Sequence, residues 1–113
     1  MNTPEMQLTR ERAIELCKEL WQWCAKTGKH KSEWPEWEKI RAEFPDLNWG
    51  ARCPFCTFKW QFTKTLERCP HCPLVEEFGK GCFSTPYRDW DRAKTKEDRR
   101  KFAREFLALL EQL

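Results

Sequence analysis

Seven of the 113 residues are cysteines, and four of them form two matched pairs. Cys53-Pro54-Phe55-Cys56 and Cys69-Pro70-His71-Cys72 are separated by twelve residues, which gives Cys-x2-Cys-x12-Cys-x2-Cys. A Cys-x-x-Cys loop lets two thiolates converge on one ion while backbone amides turn toward the sulfurs. Two such loops complete the tetrahedral four-sulfur shell that Zn2+ prefers, at roughly 2.3 Å per bond. Proline after the first cysteine stiffens each loop. The spacing therefore predicts one Zn2+ held by Cys53, Cys56, Cys69 and Cys72. Four thiolates leave no position for an activating water, so the site is expected to be structural, with metal binding appearing as folding energy.

The other readings of these thiols are buried free cysteines or a redox dithiol. A thioredoxin-type motif needs one pair beside a strand-helix unit, and this chain has two pairs without one. Cys82 lies ten residues after Cys72 and beside Gly81, and is a reserve ligand for any one of the four. His71 sits between two ligating cysteines and is expected to point away from the ion. Cys17 and Cys24 are seven residues apart on a helical pattern, about 10.5 Å along the axis. That is too far for a disulfide between them, so both are expected in the core.

Catalysis finds little material. His30 and His71 are the two histidines, and no Ser-His-Asp set, phosphate-cradling glycine loop or open metal triad can be assembled. The chain is expected not to be an enzyme. A nucleic-acid reading uses Arg52, Lys59, Lys64 and Arg68 beside Phe58, Trp60 and Phe62, with cations tracking phosphates and rings stacking on bases. Set against it, the same rings serve to cover a small sheet against the helices, and that reading is favoured. A protein-binding reading uses the Trp34, Trp37, Trp49 group near Pro35 and Pro45, because Trp often carries interface energy. Trp34 and Trp49 discriminate: exposed, they form a contact patch; covered, they are core.

These residues need elements to position them. Leu8, Ala13, Ile14, Leu16, Cys17, Leu20, Trp21, Cys24 and Ala25 recur at three- and four-residue steps, which predicts an amphipathic helix over about 9–27 with Thr9 as N-cap and Gly28 as its stop. Ser32-Glu33-Trp34-Pro35 reads as the entry to a shorter helix carrying Trp37, Ile40 and Phe44 on one face, with Pro45 ending it. Phe58, Trp60 and Phe62 alternate with polar residues, which predicts a short strand. Thr85-Pro86 opens a further helical turn with Tyr87, Trp90 and Ala93. Thr95-Lys96-Glu97-Asp98 resembles a capping box, and Phe102, Phe106, Leu109, Leu110 and Leu113 mark a last helix over about 96–112.

The expected fold is mainly α with a small zinc-knuckle, zinc-ribbon-like module. The N- and C-terminal helices should pack together around one core through Leu16, Leu20, Phe102, Phe106 and Leu110. The length suits a single domain over 1–113, with a helical part at 1–50, the zinc module at 51–84 and a helical part at 85–113. Hydrophobic residues at 40% and charged residues at 35% place the chain between disordered tails and membrane spans. The net charge of +3 is small and spread out: −1 over 1–50, and +2 over each of 51–90 and 91–113. No segment is a basic arm. The absence of a long apolar run, a start unlike a secretory signal and an odd cysteine count make a cytoplasmic location without membrane association the expectation.

Together, the Cys-x-x-Cys pairs, Cys69-Pro70-His71-Cys72-Pro73-Leu74, Gly81-Cys82 and Pro86-Tyr87-Arg88-Asp89-Trp90 resemble small uncharacterised zinc-knuckle proteins encoded by phages and prophages of Gram-positive bacteria. The likeness extends to Arg10-Glu11-Arg12-Ala13-Ile14-Glu15-Leu16-Cys17, Leu20-Trp21 and Ser32-Glu33-Trp34-Pro35, and so covers most of 8–110. It implies zinc at the matching cysteines and no established activity. A phage origin implies in turn a small binder that blocks or sequesters a bacterial host protein, an anti-defence role of the anti-CRISPR kind. A zinc-knuckle nucleic-acid binder is the alternative.

Overall fold

The computed structural model describes residues 8–50, 52–61, 73–79 and 82–113. Thr9 is extended and its hydroxyl accepts the Arg12 amide at 3.1 Å, which starts helix α1, Arg10–Thr27. Gly28 takes the left-handed conformation at φ 72° and donates its N–H to the Cys24 carbonyl, which ends it. Thr95 likewise caps the last helix, α6 (Lys96–Leu110), by accepting the Asp98 amide at 3.1 Å. The start of α6 abuts the end of α1: Arg99 Nε donates to the Gly28 carbonyl at 2.7 Å. A Cβ on Gly28 would lie 2.4 Å from Lys96 Cγ and 2.8 Å from the Lys96 carbonyl oxygen. From there α6 runs back along α1, and Phe106 meets Trp21 edge-on at 4.9 Å. The terminal helices thus pack together as their apolar faces demand. Leu16, Leu20, Phe106 and Leu110 are buried, and Phe102 is half-buried.

Between these helices the chain builds an aromatic layer. The 3-10 turn Lys31–Glu33 follows α1, capped by His30 and closed by the Glu33 side chain reaching back to the His30 amide. Helix α2, Trp37–Glu43, begins two residues beyond Pro35 and buries Trp37, Ile40 and then Phe44. The expected apolar face is present, but the residues before Pro35 form a 3-10 turn because proline disfavours the helical conformation in the residue ahead of it. The Trp37 indole N–H donates to the Lys31 carbonyl at 2.7 Å and fixes that turn on α2.

Of the expected strand, Phe58 and Trp60 are helical, and Phe62 lies outside the described residues. Helix α3 spans Pro54–Trp60, α4 spans Pro73–Phe78, and a 3-10 turn covers Cys82–Ser84; no strand occurs among the described residues. Cys53 is extended and Pro54 occupies the first helical position, where its missing N–H is no loss. Phe55, Thr57, Phe58 and Lys59 are all buried, so α3 is covered around most of its girth. An alternating pattern has no meaning in such an element. Contact with α1 outweighed the β-like sequence, and the Gln61 side chain ties the end of α3 to Leu8, accepting its N–H at 2.9 Å and donating to its carbonyl at 2.8 Å. Helix α5, Pro86–Arg92, is capped by Thr85 and brings Tyr87 and Trp90 against Trp21 at 5.6 and 4.7 Å. Among the described residues no helix is long and apolar enough to cross a membrane.

Candidate metal centre

Cys53 and Cys56 bracket the first turn of α3: Cys53 is the N-cap and Cys56 the third helical residue. Both are half-buried. The Cys56 side chain hydrogen-bonds the Cys53 sulfur, so the two sulfurs stand side by side. That bond, aided by the Lys31 ammonium and the amides of Cys56 and Phe55, carries the Cys53 thiol down to about 6 against the opposing effect of burial. These are the features a thiolate ligand pair requires: neighbouring sulfurs, local positive charge and amides at a helix start. The expected partners Cys69 and Cys72 lie outside the described residues, as do Lys64 and Arg68.

Cys82 occupies the 3-10 turn ahead of α5, where its carbonyl accepts both the Thr85 amide and hydroxyl. Among the described residues no group of three or more Cys, His, Asp or Glu converges. Cys17 and Cys24 are buried in α1, as their helical register requires. Burial pushes the Cys24 thiol up to about 12.

Lys31 and Tyr87 are electrostatically coupled to Cys53 and to each other, a meeting that sequence reasoning missed. Lys31 Nζ donates to the Tyr87 hydroxyl at 2.9 Å and lies 5.0 Å from the ring centroid. Burial acts to lower the Lys31 ammonium, but Cys53, Tyr87 and Cys56 together hold it above the ordinary lysine range. Burial raises the Tyr87 hydroxyl, with Lys31 acting in the opposite direction. The two residues are 56 positions apart, and nothing local in either segment signals their meeting.

The residues expected to form contact surfaces are mostly withdrawn from solvent. Trp34 is 5% exposed and Trp49 4%. Trp34 stands edge-on to Trp37 at 5.1 Å, Trp49 lies 6.0 Å from Trp37, and its indole N–H donates to the Phe44 carbonyl. The expected patch at Trp34 and Trp49 is therefore core: α2 and the loop after it fold these rings inward because burying their large apolar area is the main stabilisation available to a short chain. Lys59 is 2% exposed, so it is not a surface cation. Arg52 turns its guanidinium back onto the Trp49 carbonyl at 2.8 Å and over the Trp37 ring at 5.8 Å. Trp60 is the last residue of α3. No protein-family model, curated protein or solved structure matches this chain.

Proposed function

We propose that this chain is a small, zinc-stabilised binding protein without catalytic machinery, a phage-encoded inhibitor or adaptor acting on a bacterial host protein. The observation that carries the metal reading is the Cys53–Cys56 pair, two adjacent sulfurs at a helix start with a cation beside them. The same Cys-Pro-x-Cys pattern recurs at 69–72. These four residues would hold the ion. A closed four-thiolate shell supplies a covalent-like cross-link between two loops, and no position for chemistry on a substrate.

The choice of a protein over a nucleic acid is supported by Arg52 and Lys59. Both belong to the basic set a nucleic-acid surface would need, and both are drawn into the fold. Metal analysis of the purified protein tests the first part: one zinc per chain is expected, and Cys53→Ser should release it. A metal-free, normally folded wild-type protein would overturn the zinc reading. Titration with DNA and RNA at two salt concentrations tests the second. Tight binding that falls steeply with salt, through counterion release at each phosphate contact, would overturn the protein-partner reading. Capture of one defined host protein at unchanged salt would support it.

A further inference from the structure

The meeting of the α1 C-terminus with the start of α6 gathers two basic segments that lie far apart in the chain. Residues 26–31 hold three lysines and no carboxylate, and residues 92–101 hold six cations and two carboxylates. Their net charges are +3 and +4 in a chain whose total is +3, which leaves −4 for all other residues. Contacts at Gly28 bring them together. Arg99 Nε donates to the Gly28 carbonyl at 2.7 Å, and the Lys96 and Arg100 stems lie within 3.1 Å of where a Gly28 Cβ would stand. Lys26, Lys29, Lys94 and Lys96 are exposed, and Arg99 and Arg100 are half-buried. Among the described residues none of these six is in an ion pair, whereas Arg12 is engaged by Glu15 and Glu43, and Lys39 by Glu36.

The end of α1 accounts for part of this charge. Cations near the last carbonyls of a helix offset its dipole, and Arg99 with Lys26 supply that. The remaining cations have no such role in the fold. Arg100 Nε is buried without a hydrogen-bond partner, a costly placement that a carboxylate docking on the guanidinium would offset. Charge collected at one end of a molecule whose other residues are net acidic orients that end toward an anionic surface. We propose that this basic end is the docking surface for an acidic region of the protein partner, an inference that rests on the protein-partner reading above. Two observations favour an acidic protein over a phosphate backbone. Glu97 and Asp98 are exposed in the first turn of α6, where they repel a uniformly negative strand but can pair with lysines interspersed on a protein surface. Trp90, which packs on His30 at 5.1 Å beside these cations, is 1% exposed, so its indole offers bases no stacking face.

The test is fluorescence anisotropy of a dye-labelled peptide rich in Glu and Asp, titrated with the full-length protein at two salt concentrations, beside single-stranded and duplex DNA of matching charge. Wild type should bind the peptide more tightly than either DNA, with affinity falling as salt rises because exposed charges are screened. Lys29→Glu combined with Lys96→Glu should weaken peptide binding by about tenfold or more. Lys39→Glu combined with Arg41→Glu is the control, since it changes net charge equally on α2. Lys39 shares a cavity with Arg12 and Leu16, and Leu16 is about 18 Å along α1 from Gly28, so this variant should bind near the wild-type value. Circular dichroism checks that both variants fold; if the Lys29, Lys96 variant does not, Lys29→Gln with Lys96→Gln carries the comparison. Equal losses from the two double variants would reduce the effect to net charge and overturn the proposal. Failure of wild type to bind the peptide would overturn it and leave the protein-partner reading standing. Tighter binding of either DNA would overturn both.

Discussion

Gly28 and Gly79 form an internal control for the packing of the terminal helices. Both hold nearly the same left-handed conformation, φ 72° and 71°, so alanine at either suffers the same conformational penalty. That penalty is about 1–2 kcal/mol, partly offset by the roughly 0.4–1 kcal/mol that alanine removes from unfolded-chain entropy. Their surroundings differ. At Gly79 a Cβ meets nothing within 4 Å, whereas at Gly28 it meets Lys96 Cγ at 2.4 Å, the Lys96 carbonyl at 2.8 Å and Arg100 Cγ at 3.1 Å. The lysine stem can swing aside; the carbonyl belongs to the first turn of α6 and cannot move without shifting that helix. Forcing extra volume into such a contact costs about 1–3 kcal/mol. Gly79→Ala should therefore cost about 1 kcal/mol and Gly28→Ala about 2–4 kcal/mol, separating their melting temperatures by roughly 4–12 °C. Urea unfolding at equilibrium, followed by tryptophan fluorescence, measures both. Equal losses at the two glycines would refute the close approach of α6 to the end of α1.

Phe106→Ala removes a buried ring from the Trp21 and Tyr87 cluster; a loss of roughly 3–5 kcal/mol in unfolding free energy is expected, and a loss below 1 kcal/mol would place the ring at the surface. Cys24, with its thiol at about 12, should react with iodoacetamide at pH 8 roughly a thousandfold more slowly in the native than in the urea-unfolded protein; mass mapping of the labelled peptide reads this, and equal rates would contradict its burial. His30 is held below its ordinary value by burial and then by Lys31, and its Nδ1 accepts the Ser32 amide as a helix cap. Because the unfolded chain takes up this proton more readily, the His30 contribution is fully present above the unfolded value near 6.5 and is lost as pH falls through the lower folded value. His30→Gln should accordingly flatten the decline in stability between pH 7 and pH 5, and an unchanged slope would show that the imidazole is not coupled to folding.

The helices at the two ends could be read from local chemistry. Thr9, Gly28, Thr85 and Thr95 each act within four residues of their own position, through a hydroxyl accepting an amide or a glycine entering the left-handed region. The apolar spacing of α1 and α6 then specifies which faces must meet. Such signals survive in sequence because their causes are local. The middle of the chain had no such protection. Phe58, Trp60 and Phe62 alternate like a strand, yet Pro54 starts a helix and burial of α3 around most of its girth removes the solvent face that gives alternation its meaning.

Spacing also identified Cys53 and Cys56 as a pair, since three residues on one helical turn are enough to set two sulfurs side by side. It was silent on which aromatics face water. Trp34 and Trp49 have the composition of a contact patch and the position of core, and the difference depends on how α2 and the loop after it fold back upon the rings. It was equally silent on Lys31 and Tyr87, which meet only because α5 docks on α1 while the turn after α1 docks on α2. A long-range contact of that kind is a sum of packing choices made elsewhere in the chain, and no single segment encodes it.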